Sequence, residues 1–137
     1  MTPSDYQALA TFRHTLRGFV AFSEREAIRA GLMPQQHQAL LAIKAMSASG
    51  APSVGDLAKQ LMIRPHSAAE LVGRLVRMGL VERLRDANDR RRVRVVLLPL
   101  AEQKLAQLSS AHLRELGAIR PLMDELFGRF DIHRDTI

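Results

Sequence analysis

The apolar residues of the first quarter of the chain recur at three- and four-residue steps, the spacing of one face of an α-helix. The pattern predicts a helix over residues 5–30, with Ser4 as its N-cap and Gly31 as its stop. The apolar stripe of this helix consists of Leu9, Phe12, Leu16, Phe19 and Val20. So regular a stripe must be buried, either against the chain itself or against a partner subunit.

Three further helical segments and a loop follow. Pro34 is placed to open a second helix that ends near Ser47, and a loop rich in Gly, Ser and Pro comes next. Ser53 and Asp56 have the spacing of a capping box at the start of a third, short helix. After a turn at residues 62–65, a fourth helix is predicted over 66–78. Its inward face is Ala68, Leu71, Val72 and Leu75, and its outward face is His66, Ser67, Glu70, Gly73, Arg74 and Arg77.

A two-stranded hairpin is predicted from Leu80-Val81 to the residue before Pro99. Its middle is the segment DANDRRRVRV at 86–95. Acidic, turn-forming residues come first, and apolar runs flank the segment on both sides. Its four arginines, which predict a cationic tip, are Arg90, Arg91, Arg92 and Arg94. A helix-turn-helix followed by such a hairpin is the pattern of a winged helix.

A long helix is predicted from about Leu100, and Pro121 is expected to interrupt it and leave a short last helix over 122–130. One side of the long helix carries Leu105, Leu108, His112, Leu116 and Ile119. The predicted fold is therefore mainly α with a small β-hairpin wing. A winged helix-turn-helix at 32–99 is flanked by dimerisation helices at 1–31 and 100–137, all within a single domain.

Composition and charge narrow the class of partner. The chain has 137 residues, is 47% hydrophobic, contains no cysteine and carries a formal charge of +6. Residues 53–98 hold ten of the basic residues and only five acidic ones. This concentration favours a polyanionic partner such as nucleic acid. Disulfides and thiolate sites are excluded, and neither a membrane-spanning run nor a signal segment is present, so we expect a cytoplasmic protein.

Enzyme chemistry finds little support, because the sequence has no Gly-rich phosphate loop, nucleophile elbow or helical His-Glu metal motif. We therefore predict neither catalysis nor a cofactor. The five histidines, including His133, are scattered. A metal site assembled across a dimer from His14, His37 or His112 remains an alternative, and with it a metal-dependent regulator, but the prediction is that no metal is bound.

The outward face of the fourth helix suits the major groove of DNA, where the N-terminal residues of a recognition helix read base edges. His66, Ser67 and Glu70 are the candidates for base contacts, while Arg74 and Arg77 are placed to hold phosphates. Arginines on a projecting hairpin fit the minor groove, where the negative potential is strongest.

The chain resembles the MarR family of bacterial winged-helix transcriptional regulators over nearly its whole length. The similar segments are LMPQQHQALLAI at 32–43, LAKQLMIRPHSAAELVGRLVRMGLVERLRD at 57–86 and DANDRRRVRVVLLP at 86–99. The resemblance implies an obligate homodimer whose first and last helices interleave. It also implies that Arg91 enters the minor groove, that Asp89 steadies the hairpin, and that Arg90 and Arg92 grip phosphates.

Two positions depart from the family pattern. Arg64 stands where a capping serine is common, which adds a cation at the start of the recognition helix, and Ala69 stands where a polar contact residue is usual. Ser67 falls on a position that usually touches DNA. The resemblance also implies a cleft for a small aromatic or amphipathic ligand, for which the candidates are Phe12, His14, Arg17, His37 and Met46; any of these could instead be core residues.

The sequence therefore predicts a homodimeric regulator, a repressor, that binds a pseudo-palindromic operator in double-stranded DNA and is released by a small-molecule effector. The alternative is a winged helix used as a protein-interaction module, with its basic surface facing an acidic partner and no specific DNA binding.

Overall fold

The computed structural model describes the backbone of residues 1–134 and the side chains of residues 1–130. Over this range the chain forms five α-helices and one two-stranded sheet. The elements are α1 (Pro3–Arg29), α2 (Pro34–Met46), α3 (Val54–Leu61), α4 (Pro65–Arg77), β1 (Val81–Arg85), β2 (Val93–Leu97) and α5 (Pro99–Arg134), with a single 3₁₀ turn at Ser47–Ser49. The predicted winged fold, mainly helical with one hairpin, is confirmed.

Helix α1 begins two residues earlier than predicted, and Ser4 is not its cap. Thr2 Oγ1 accepts a hydrogen bond from the Asp5 N–H, and Asp5 Oδ2 accepts one from the Thr2 N–H. This reciprocal pair leaves Pro3 as the first helical residue, a position that suits proline because the N–H there has no helical partner. The stop at Gly31 is confirmed by its φ of +81°, which glycine adopts without a steric penalty.

The start of α3 follows the predicted capping box. The Asp56 N–H donates to Ser53 Oγ, and the Ser53 N–H donates to Asp56 Oδ2, both at 3.0 Å. The helix ends at Leu61, and the next residue, Met62, caps it with left-handed backbone angles of φ 58° and ψ 42°. This reversal forms the turn that leads through Ile63 and Arg64 into α4.

The wing is an antiparallel hairpin in which Val81 pairs with Leu97 and Arg85 pairs with Val93. The second strand is also attached to the loop before α3, because the Val95 N–H donates to the carbonyl of Pro52 at 2.9 Å and Arg94 forms an isolated bridge with Ser53. The hairpin is therefore anchored to the helix-turn-helix along β2, and its tip at 86–92 extends beyond the paired strands.

Helix α5 runs without a break through Pro121, so the predicted interruption and the separate helix at 122–130 are wrong. Proline inside a helix removes one backbone hydrogen bond and costs about 3 kcal/mol. Burial of Leu126 and the ring contacts of Phe127 and Phe130 with Phe12 favour continuation of the helix beyond Pro121. Packing over many residues overrides the local preference of one.

The chain divides into two compact units. The first comprises residues Ala27–Leu108 and contains the helix-turn-helix and the wing. Its core consists of side chains from α2, α3, α4, both strands and the first part of α5, together with Leu80 between α4 and β1. Its fully buried large apolar side chains are Leu40, Ile43, Leu57, Val72, Leu75, Leu80, Val81 and Val95. The predicted inward face of α4 is confirmed, because Ala68, Leu71, Val72 and Leu75 are all buried.

The second unit comprises Met1–Glu26 and Ser109–Ile137, and so holds the first part of α1 and the last part of α5. Aromatic side chains join these two helices. Phe12 contacts Phe127 and Phe130, with centroids 5.9 and 6.3 Å away. His112 lies edge-on to Phe19 and Phe22, and its Nε2 is 2.8 Å from Ser23 Oγ. The assignment of 1–31 and 100–137 to dimerisation stays a prediction.

Candidate nucleic-acid interface

Helix α4 presents a polar face opposite its buried one. His66, Glu70, Arg74 and Arg77 are exposed, and Ser67 is half-buried. His66 Nε2 lies 3.6 Å from Glu70 Oε1, one helical turn away, with both side chains about two-thirds or more exposed. Two of the three predicted base-reading residues are thus neighbours whose polar atoms point outward together. Such an exposed pair contributes little to stability and remains available to a ligand.

Gly73 is not on the outward face, contrary to the prediction, because it is buried. The guanidinium groups of Arg83 on β1 and Arg77 on α4 cover it. A methyl group at residue 73 would lie 3.2 Å from Arg83 Nη2 and 3.5 Å from Arg77 Nη1. The sequence could not show this, since one of the two covering side chains, that of Arg83, comes from another element.

The first residue before α4 is Arg64, which has extended backbone angles and makes no side-chain cap. Pro65 occupies the first helical position and has no N–H to satisfy. The remaining free N–H groups at this end of the helix leave a partial positive charge next to an exposed arginine, an arrangement that favours an anion.

Two aspartates shape the tip of the wing. Asp86 Oδ1 accepts the N–H of Asn88, and Asp89 Oδ1 accepts the N–H of Arg91, each at 3.0 Å. The Asp89 carbonyl also accepts the Arg92 N–H. These local turns fix the backbone on both sides of Arg91, which supports the predicted role of Asp89 as a wing-stabilising residue.

The four wing arginines differ in their surroundings. Arg90 and Arg91 are exposed, and none of the side chains described for residues 1–130 forms an ion pair with either. Arg94, by contrast, is not part of the tip. Its Nε and Nη2 donate to Asp86 Oδ2 at 3.2 and 3.0 Å, and its Nη1 donates to the carbonyl of Ala51 at 2.6 Å.

Arg92 occupies an intermediate position, with Nη2 3.4 Å from both carboxylate oxygens of Asp56. The pKa of Asp56 lies below its ordinary value, first because its carboxylate accepts the Ser53 N–H and also because Arg92 and Arg94 are near. The pKa of Asp86 is likewise lowered, by the Asn88 N–H first and then by Arg94. Both carboxylates are therefore charged at neutral pH and hold the base of the wing in place.

A groove of about 530 Å³ runs between the start of α3, the middle of α4 and the wing. Four cations line it, namely Lys59, Arg83, Arg91 and Arg92, against the single carboxylate of Asp56. Lys59 and Arg83 were absent from the predicted interface. Strand alternation could have found Arg83, because it lies on the same side of β1 as the buried Val81.

The five candidates for a ligand cleft lie in different surroundings. Phe12 is half-buried among aromatic rings, and His14 and Arg17 are exposed on α1. His37 is buried, with an exposed fraction of 2%, and its Nδ1 lies 3.5 Å from Gln38 Nε2. Met46 packs against the core of the winged unit. The ligand cleft stays a prediction.

Among the described residues, no group of three or more His, Cys, Asp or Glu side chains could hold a metal ion. No helix within that range is long and apolar enough to cross a membrane.

Comparisons with known proteins agree with this geometry. The sequence profile of the MarR family matches residues 30–92. YcgE of Bacillus subtilis, an HTH-type transcriptional regulator, is 32% identical over 117 residues, which are 85% of this chain and 68% of YcgE.

Solved structures share the fold at lower identity. The MarR family transcription regulator SP03579 has a TM-score of 0.76 at 22% identity, covering 96% of this chain and 86% of that one. A complex of Staphylococcus aureus MepR with DNA has a TM-score of 0.73 at 17% identity, and the match covers 100% of this chain and 99% of the MepR chain. The chain belongs to the MarR family of transcriptional regulators.

Proposed function

We propose that this protein is a homodimeric repressor that binds a pseudo-palindromic site in double-stranded DNA. The observation that carries the proposal is a set of exposed arginines just before α4, on α4 and on the wing. Within residues 1–130, no carboxylate pairs with Arg64, Arg74, Arg77, Arg90 or Arg91. Exposed cations without counter-charges are available to phosphates, and they supply the sequence-independent part of DNA affinity.

The two parts of this surface suit different grooves. In the proposed complex α4 enters the major groove, where His66, Ser67 and Glu70 meet base edges, while Arg74 and Arg77 contact the backbone. The wing places Arg91 in the adjacent minor groove, with Arg90 on a flanking phosphate. The solved complex of MepR with DNA supports DNA binding by a protein of this fold.

The dimer is supported by the unit formed from the ends of the chain. Large apolar side chains there are exposed: Leu9 by 46%, Val20 by 52%, Leu113 by 69% and Phe127 by 48%. Exposed apolar groups repeated along two helices mark an interaction surface. A second copy of the chain would bury them and bring two recognition helices to one duplex.

The test is selection of genomic fragments by the purified protein, followed by fluorescence anisotropy on the selected duplex and on a scrambled one. We expect the protein to prefer an inverted repeat. Arg91→Ala should weaken binding about tenfold or more, because it removes one charged hydrogen bond from each of the two subunits. Arg114→Ala, an exposed arginine on α5, is the charge-matched control. Equal binding to both duplexes, with Arg91→Ala behaving like the control, would favour a protein-interaction module instead.

Repression is tested separately with a reporter driven by the selected site. Occupancy of promoter DNA by a dimer should block transcription, so expression should rise when the protein is absent. A fall in expression would show an activator and contradict the repressor assignment while leaving DNA binding intact.

A further inference from the structure

Gly73 stands at the centre of the face that α4 turns toward the wing. It is buried although it has no side chain, because Arg83 from β1 and Arg77 from the same helix lie across it. Ala69, one turn earlier, lines the groove beside Arg83. Small residues at 69 and 73 let a guanidinium from the sheet approach the helix backbone closely.

The two guanidinium groups converge on one place without a counter-ion. A Cβ atom at residue 73 would lie 3.2 Å from Arg83 Nη2 and 3.5 Å from Arg77 Nη1. In the part of the chain whose side chains are described, neither arginine forms an ion pair or a side-chain hydrogen bond. Two like charges repel, and a shared anion would remove the repulsion.

The groove that Arg83 also lines is cationic as well. Lys59, Arg91 and Arg92 line it together with Arg83, and the one carboxylate, that of Asp56, is already engaged by the Ser53 N–H and Arg92. An anion near Gly73 would therefore meet an excess of positive charge. A guanidinium fork matches the oxygens of a phosphate, and two forks can hold one phosphate from two sides.

We propose that Arg77 and Arg83 together hold a single backbone phosphate of the bound duplex, and that Gly73 is a positioning residue that lets them meet. The inference rests on the proposed DNA binding and adds Arg83 and Gly73 to its machinery. The phosphate lies on the wing side of α4, so it would fix the rotation of the helix in the major groove, as phosphate contacts do.

The salt dependence of DNA affinity distinguishes a shared phosphate from two separate ones. Each phosphate that is neutralised contributes about 0.9 to the slope of log K against log salt. With one shared phosphate per subunit, the double variant Arg77→Gln/Arg83→Gln should lower the slope for a dimer by about 1.8. With two separate phosphates the loss would be about 3.6.

The single variants give the second readout. If the phosphate is shared, Arg83→Gln alone should weaken binding about tenfold or more while leaving most of the slope, because Arg77 still neutralises the phosphate. The charge-matched control is Arg25→Gln/Arg114→Gln, two exposed arginines of the other unit. Circular dichroism checks that every variant is folded.

The outcomes separate the two proposals. If the wild-type protein binds no duplex, the proposed function fails. If it binds and the double variant matches the control, or loses a slope of about 3.6, the shared phosphate is wrong and DNA binding stands. Free anions are tested by melting the wild type in inorganic phosphate and in chloride at equal ionic strength. If inorganic phosphate stabilises the wild type but not the double variant, and the double variant keeps the wild-type salt slope of DNA binding, the assignment to the DNA backbone is contradicted.

Discussion

Arg94 on β2 holds Asp86 at the base of the wing, with Nη2 3.0 Å and Nε 3.2 Å from the same carboxylate oxygen. The third arm of the guanidinium donates to the Ala51 carbonyl in the loop before α3. One side chain therefore joins the start of the wing tip, the second strand and the helix-turn-helix. Arg90 and Arg91 are presented from a base that is fixed at three points.

The contact between Arg94 and Asp86 should make the stability of the fold depend on pH in the acidic range. The pKa of Asp86 is below its ordinary value of 3.8, chiefly through the Asn88 N–H and then through Arg94. A carboxyl with a depressed pKa stabilises the fold above pH 3.8, and that contribution is lost as pH falls through the folded-state value. The melting temperature of Asp86→Asn should therefore lie below that of the wild type at pH 7, and the gap should close below pH 3.8.

The control for this comparison is Glu82→Gln, at an exposed position on β1. It should change the melting temperature little at either pH. A gap for Asp86→Asn that stays constant from pH 7 to pH 3 would show that the carboxylate charge is not what holds the wing.

The backbone conformation of Met62, in the turn between α3 and α4, is expected to lower the free energy of unfolding. Its left-handed conformation costs an L-residue roughly 1–2 kcal/mol, and its side chain is 92% exposed and gains nothing from burial. Met62→Gly should therefore raise the free energy of unfolding by about 0.5–1 kcal/mol, less than the strain because glycine is more flexible when unfolded. Urea denaturation measures this. Met62→Ala keeps the Cβ, so equal midpoints for the two variants would refute the strain.

Gly73→Ala should separate stability from DNA binding. Alanine in a helix interior is favoured over glycine by about 1 kcal/mol, and the new methyl group meets only the flexible ends of two arginines. The variant should melt higher than the wild type. It should also bind the selected duplex a few-fold more weakly, because the guanidinium groups are pushed apart.

Gly18→Ala on α1 is the matched control, since nothing lies within 4 Å of the added methyl group. It should gain similar stability and leave DNA affinity unchanged. If Gly73→Ala binds DNA as well as Gly18→Ala does, Gly73 has no positioning role.

The features that local chemistry determines were predictable from sequence. Ser53 and Asp56 cap each other across three residues, Gly31 takes a positive φ, and the period of the apolar residues in α4 identifies its buried face. These signals need no knowledge of distant contacts.

The larger errors involve contacts between residues that are not neighbours in the sequence, whereas the error at Ser4 is local, because Thr2 and Asp5 cap α1 across three residues. Pro121 lies inside α5, where the packing of Leu126 and neighbouring aromatic rings favours a continuous helix. Arg94 was grouped with the cationic tip, but its partners are Asp86, eight residues away, and Ala51. Gly73 carries no side chain whose polarity could indicate burial, and Arg83, one of the two residues that cover it, lies on β1. The DNA-contact and ligand-cleft residues remain predictions.

The most direct test of the central claim is hydroxyl-radical footprinting on the selected duplex, because this reagent attacks sugars through the minor groove, where Arg91 is proposed to lie. Two symmetry-related recognition helices predict two equivalent protected segments about the dyad of the site, each associated with a half-site about one helical turn from its mate. Arg91→Ala should weaken protection in both minor-groove segments, and Arg114→Ala should not. A single, unsymmetrical protected segment, or one that Arg91→Ala leaves unchanged at saturating protein, would contradict the account.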